Sequence, residues 1–211
     1  MATSGKPPAS RYHHGALRQA LLEAGLALLE RGGRERLTLR SLAAAVGVSH
    51  AAPAHHFATL TGLRTALAAI GFHRFGNAIA DESAGAPDPE TRMRRASRAY
   101  LAYALRQPGL FRLMFTQELL DWTDPELSAQ AAKAKAQLSI VCGSVAERLG
   151  LEPAAKRALE HFVWATVHGQ AMLVIDGQLG PSPTLADLPG PESGCPDIAA
   201  LLFSQAPGRN P

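Results

Sequence analysis

Apolar residues recur along this chain at three- and four-residue intervals, the period of helices that bury one face. Leu17, Leu21, Ala24 and Leu28 mark the first such face, and Gly32-Gly33 stops it. Leu39, Leu42, Ala43 and Val46 mark a second, short one, with Thr38 before it as a capping residue. Gly47 falls where the chain must turn, with the positive φ that glycine adopts at little cost. Ser49 offers a cap to a third helix, whose Val48, Ala52 and Phe57 return to the second. Thr59 caps a fourth over 60–82, with Leu63, Leu67 and Ile70 inward.

Beyond a Gly- and Pro-containing linker at 83–89 the pattern continues. Asp88-Pro89 and Asp124-Pro125 are cap-and-proline starts, predicting helices at 89–107 and from 125 to Leu149, where Gly150 is the stop. Gln107-Pro108 breaks the first of these, because a residue before proline is pushed out of the α region, and a short helix is predicted at 109–118. Pro153 opens a long apolar helix reaching about Leu179. Residues 180–197 are rich in Pro and Gly and read as an irregular loop, with a last short helix at 198–204. The expected fold is all-α. Residues 1–10 form a disordered arm, 11–59 a three-helix helix-turn-helix head, and 60–82 a connecting helix. A helical bundle over 83–205 and a tail at 206–211 complete the chain.

Composition supports this division. Leu and Ala dominate and aromatics are 6% of the chain, which argues against sheet. No apolar run approaches the ~18 residues of a membrane span, and the first residues carry no apolar signal core, so a cytoplasmic protein without membrane contact is expected. Cys142 and Cys195 have no partner motif and read as reduced thiols. Charge is uneven: residues 1–60 hold seven Lys and Arg against three acids, and the remainder fourteen against fifteen. Five of the eight histidines also lie in the first sixty residues. Two short helices at a fixed angle form either an ordinary αα-corner or a helix-turn-helix, whose second helix enters the DNA major groove. A basic head on a neutral body favours the latter.

Four segments carry a family resemblance: Tyr-His-His-Gly-Ala-Leu-Arg at 12–18, Leu-Thr-Leu-Arg-Ser-Leu-Ala at 37–43, Val-Gly-Val-Ser-His-Ala-Ala-Pro at 46–53 and His-His-Phe at 55–57. Together they resemble the DNA-binding region of the tetracycline-repressor (TetR) family of bacterial transcription regulators. Trp-Ala-Thr-Val-His-Gly at 164–169 is similar to the Trp-x-x-x-His-Gly signature of one branch of that family. The resemblance implies a homodimeric, effector-responsive regulator, most often a repressor, on a near-palindromic double-stranded operator. It implies that Tyr12, Thr38, Arg40 and His56 hold phosphates, while Ser49, His50, Ala51 and His55 face base edges. Dimerisation is expected through the long helix from Pro153 and the final helix, with helix 60–82 transmitting the effector signal. Two positions depart from the family: Ala54 stands where Tyr is usual, and Leu60 where Lys reaches a phosphate. Both departures predict weaker phosphate binding and a shallower salt dependence.

The body holds most large side chains, chiefly as core. A subset, Tyr100, Tyr103, Phe111, Phe115, Trp164, His168 and Met172, is the candidate lining of a cavity for a small, apolar effector. Asp176 on the same helix as Trp164 and His168 either pairs with an arginine or faces solvent. No cofactor, phosphate loop or nucleophile elbow is legible. No metal site is either, since His13-His14 and His55-His56 are adjacent pairs that point about 100° apart in a helix. Two alternatives remain: a small-molecule binder whose head has lost DNA recognition, supported by Ala54 and Leu60, and a helical enzyme, which needs Tyr103, His168 and Asp176 to converge.

Overall fold

The computed structural model describes residues 14–178 and 197–203. The expected arm, Tyr12, the tail and nearly all of the loop at 180–197 lie outside the described residues. Every regular element among those described is helical.

The head begins with α1 (His14–Gly32), followed by one 3-10 turn at Arg34–Arg36. Its buried face is Leu21, Leu22, Gly25 and Leu29, about one residue around from the predicted stripe, with Leu17, Ala24 and Leu28 only partly buried. Helix α2 (Leu39–Val46) starts as predicted. The Thr38 hydroxyl accepts the Ser41 N–H at 3.0 Å, and the Ser41 hydroxyl oxygen accepts the Thr38 N–H at 3.0 Å, a reciprocal cap. Gly47 ends α2 at φ 73°, where its N–H closes the last turn.

Helix α3 (Ala52–Phe57) is shorter than predicted, and Ser49 does not cap it. The Ser49 carbonyl would need the N–H four residues on, but that residue is Pro53, which has none. It accepts the Ala52 N–H at 3.0 Å instead, so Ser49, His50 and Ala51 form a turn ahead of the helix. Buried Pro53 and Phe57 dock α3 onto the head, and the Arg18 guanidinium sits 5.4 Å from the Phe57 ring centre.

Helix α4 (Leu60–Ser83), capped by Thr59, leads into the body and packs along α5 (Pro89–Arg106) and α7 (Pro125–Leu149). Asp88 and Asp124 cap α5 and α7 as predicted, accepting the N–H groups of Thr91 at 2.7 Å and Leu127 at 2.9 Å. Helix α6 (Pro108–Met114) stops short of the predicted 118, and the Thr116 hydroxyl bonds the Arg112 carbonyl at 2.7 Å just past its end. A 3-10 turn at Gln117–Leu119 then reaches α7. Helix α8 (Pro153–Ile175) ends four residues before the predicted point, because Gly177 at φ 70° lets the Gln178 N–H close onto the Leu173 carbonyl at 2.9 Å.

Helix α9 (Ile198–Phe203) lies on α5, burying Ile198, Ala199 and Phe203. Asp197 caps it, accepting the Ala199 N–H at 3.0 Å, and pairs with Arg94 of α5 at 2.8 Å. One continuous hydrophobic core runs from Leu21 in the head to Phe203. Among the described residues no helix is long and apolar enough to cross a membrane.

Candidate functional site

Two regions stand out, one in the head and one in the body. In the head, Ser49, His50, Ala51 and His55 are all exposed, on the turn before α3 and on α3 itself. His56 is partly buried beside Phe57, with ring centres 6.4 Å apart, and Ala54 is exposed. Arg40 is exposed on α2. Thr38 is exposed too, but its hydroxyl is held in the cap: it also donates to the Ser41 hydroxyl at 2.9 Å, which in turn donates to the Arg36 carbonyl at 2.7 Å. Tyr12 lies outside the described residues.

The body holds a partly open cavity of about 430 Å³ between α4, α5, α6, α7 and α8. Of the predicted lining residues, Tyr100, Phe115, Trp164 and His168 reach it. Tyr103, Phe111 and Met172 do not. Tyr103 turns toward α4, where its hydroxyl donates to the Gly71 carbonyl at 3.0 Å. Phe111 is fully buried behind the wall, its ring centre 5.0 Å from that of Phe115. Met172 lies partly buried against the core, away from the space.

Sequence reasoning missed most of the wall. Phe72, Phe75 and Ile79 of α4, Met93 of α5, Met114 of α6 and Trp122 of the α6–α7 connection are among the rest of it, with further residues of α5, α7 and α8. The α4 residues follow i, i+3 and i+7, a signal that was present, but it marks burial without saying what lies opposite.

Inside the cavity the polar groups are few. The Tyr100 hydroxyl and His168 Nδ1 are 2.8 Å apart. Burial pushes the Tyr100 phenol above its ordinary range and His168 below the usual histidine value. Both are therefore neutral, and one proton bridges them. The Phe115 and His168 rings meet at 4.6 Å between centres, and those of Phe75 and Tyr100 at 4.8 Å. This is a largely apolar, aromatic chamber with one neutral, internally bonded polar pair in its wall.

The three groups on which an enzymatic reading depended are dispersed. Tyr103 is bonded to Gly71, Asp176 is hydrogen-bonded and ion-paired to Arg112 of α6, and only His168 faces the cavity. Burial pushes the Cys142 thiol up to about 12, so it is no nucleophile.

Known proteins place this architecture. Residues 93–188 match a family described as tetracyclin repressor-like, C-terminal domain. The chain is 29% identical over 160 residues to an uncharacterised HTH-type transcriptional regulator of Mycobacterium tuberculosis, covering 76% of this chain and 71% of that protein. A protein of unknown function from Rhodococcus sp. RHA1 superposes with TM-score 0.71 at 29% identity, over 84% of this chain and 92% of its own. The TetR family regulator PfmR of Thermus thermophilus shares the fold with TM-score 0.55 at 21% identity, over 72% of this chain and 84% of its own. With a helix-turn-helix head and a cavity in a helical body whose residues 93–188 match the tetracyclin repressor-like C-terminal domain, the chain is similar to HTH-type transcriptional regulators and shares the fold of the TetR family.

Proposed function

We propose that two copies of this chain pair through α7 and α8 and act as a repressor that an apolar effector releases from a near-palindromic DNA site. The observation that carries the reading is an apolar surface left uncovered on those two helices. Phe162 is 51% exposed, Leu173 41% and Ile140 53%. Phe162, Gly169 and Leu173 share one stripe of α8 with exposed Ala158 and Ala165, while Ala129, Ala132, Ala136 and Ile140 share one of α7. Small residues let helices approach closely, and the flanking Phe, Leu and Ile supply the apolar area. The final helix, given a share of this surface by the sequence, buries Ile198, Ala199 and Phe203 and packs mainly on α5, so α7 is given its place in this reading.

A two-fold pair presents two α3 helices to successive turns of the duplex. In each head, Ser49, His50, Ala51 and His55 read base edges, and Tyr12, Arg40 and His56 hold phosphates. Thr38 acts through the cap that orients α2. None of the exposed residues of α3 is an arginine, so bidentate reading of guanine is absent and DNA shape contributes to choice of site. Trp164 and His168, the two side chains of the Trp-x-x-x-His-Gly segment, border the effector chamber. An effector shifts DNA affinity only if it binds the two dimer shapes unequally, and a coupling of ~1–3 kcal/mol gives roughly 5–150-fold. Helices α4 and α6 both join chamber to head and carry that change.

The test is the mass of the protein in solution and its DNA affinity, measured together. The wild type is expected to be a dimer that selects a near-palindrome from random duplexes. Phe162→Glu with Leu173→Glu is expected to give a folded monomer whose affinity falls more than about tenfold, because one head is lost and buried carboxylates oppose pairing. A monomeric wild type, or no selected sequence at low salt, would overturn the proposal.

A further inference from the structure

We propose that the effector is an organic acid whose apolar body fills the chamber and whose anionic head rests at its mouth on Lys135 of α7. The inference deepens the reading of the cavity as the effector site and rests on it. Of the described residues lining the cavity, only Gln117, Lys135 and Trp164 are exposed, so they mark where the space meets solvent. The mouth is therefore bounded by the turn after α6, by α7 and by α8.

Among the described residues Lys135 is the only lysine lining the cavity, and no Asp, Glu or Arg lines it. Its own helix offers it no acid: the positions three and four residues away are Ala131, Ala132, Leu138 and Ser139. Among the described residues no carboxylate lies within ion-pair distance of it. The ammonium is thus open to a guest at a site whose other described walls are rings, aliphatic carbon and the neutral polar side chains of Ser97, Gln117 and Gln137. The Gln117 amide, also exposed where the cavity meets solvent, supplies a further donor.

Deeper in, a carboxylate would find no opposite charge. The Tyr100–His168 pair is satisfied internally, and burying an unpaired carboxylate is costly. At the mouth the same group keeps part of its hydration and gains a charge-assisted hydrogen bond. A cation suffers the reverse, since its charge would meet Lys135 at the mouth with no carboxylate to receive it inside. The volume of about 430 Å³ suits a body on the order of a dozen heavy atoms, taking about 30 Å³ for each water-sized group.

Calorimetric titration of the full chain tests this with decanoate, 1-decanol and decyltrimethylammonium, and with 4-phenylbutyrate and its alcohol, all below their aggregation concentrations. In at least one pair the acid is expected to bind about three- to fivefold tighter than the alcohol, the scale of a partly exposed ion pair, and the ammonium weakest. Lys135→Met is expected to erase the acid's advantage while leaving the alcohol's affinity unchanged, and Lys135→Arg to retain it. The advantage is expected to shrink in high salt. Equal binding of acid and alcohol, or an unaffected preference in Lys135→Met, would overturn the acid head while leaving the chamber as the effector site. Failure of every probe to bind would overturn the effector reading itself.

Discussion

The Glu30 carboxylate near the end of α1 accepts a hydrogen bond from the Leu110 N–H at the start of α6, over 3.1 Å. That N–H is one of the donors a helix start leaves without an internal partner, and here a residue from the head satisfies it. Beside it, a Cβ on Gly109 would stand 2.4 Å from the Leu29 carbonyl oxygen, so only glycine permits the contact. Phe115, just beyond α6, and Met114 within it border the chamber, so α6 touches effector space and DNA-binding head at once.

Gly109→Ala should therefore force α1 and α6 apart. We expect a loss of ~1–3 kcal/mol, as for overpacked sites, and a weaker change in DNA affinity when an effector binds. Glu30→Ala should cost about 1 kcal/mol, the scale of a lost cap, with the same loss of coupling. Thermal unfolding and DNA titrations with and without effector check both. A Gly109→Ala protein with wild-type melting and coupling would show that the contact transmits nothing.

Arg40, near the start of α2, is the exposed cation of that helix. Arg40→Ala should weaken binding to all duplexes alike and reduce the slope of log affinity against log salt by about 0.9, one phosphate contact's worth. Unchanged slope would place Arg40 off the DNA.

Acid should destabilise the body through His168. Burial lowers its pKa in the fold from the ordinary 6.5, so below that value the unfolded chain binds the proton and the folded one resists it. The contribution is present above pH 6.5 and is lost as pH falls toward the folded value. The melting temperature should thus drop between pH 8 and pH 5.5, and drop less in His168→Gln, which keeps a partner for Tyr100. Equal drops would remove His168 from the account.

Gly71 on α4 faces Met114, whose sulfur would lie 2.6 Å from an added Cβ. Met114 is fully buried and borders the chamber, so Gly71→Ala must push its flexible end into that space. Alanine in a helix recovers about 1 kcal/mol, which offsets part of the crowding. The expected signature is stability within about 1 kcal/mol of wild type with weaker binding of the larger probes. Unchanged affinity would mean that Met114 yields elsewhere.

Helix starts were legible because they are local. Thr38, Thr59, Asp88 and Asp124 each bond a backbone N–H three residues on, and nothing distant decides that. Gly47 and Gly150 were legible ends for the same reason, both at positive φ. Ser49 misled because the capping rule is blind to the missing donor at Pro53, four residues later. The chamber was half legible: Trp164 and His168 sit on the face the pattern suggested, but Tyr103 and Phe111, equally aromatic, turn to α4 and to the interior. Periodicity assigns a residue to a face, and only the arrangement of five helices decides whether that face meets another helix or an empty space.

Trp122 and Trp164 are the chain's only tryptophans, and both border the chamber. Intrinsic indole fluorescence therefore comes wholly from the walls of one compartment. Occupancy should alter its colour and yield without any attached dye, so the molecule carries its own optical gauge of whether a guest is inside.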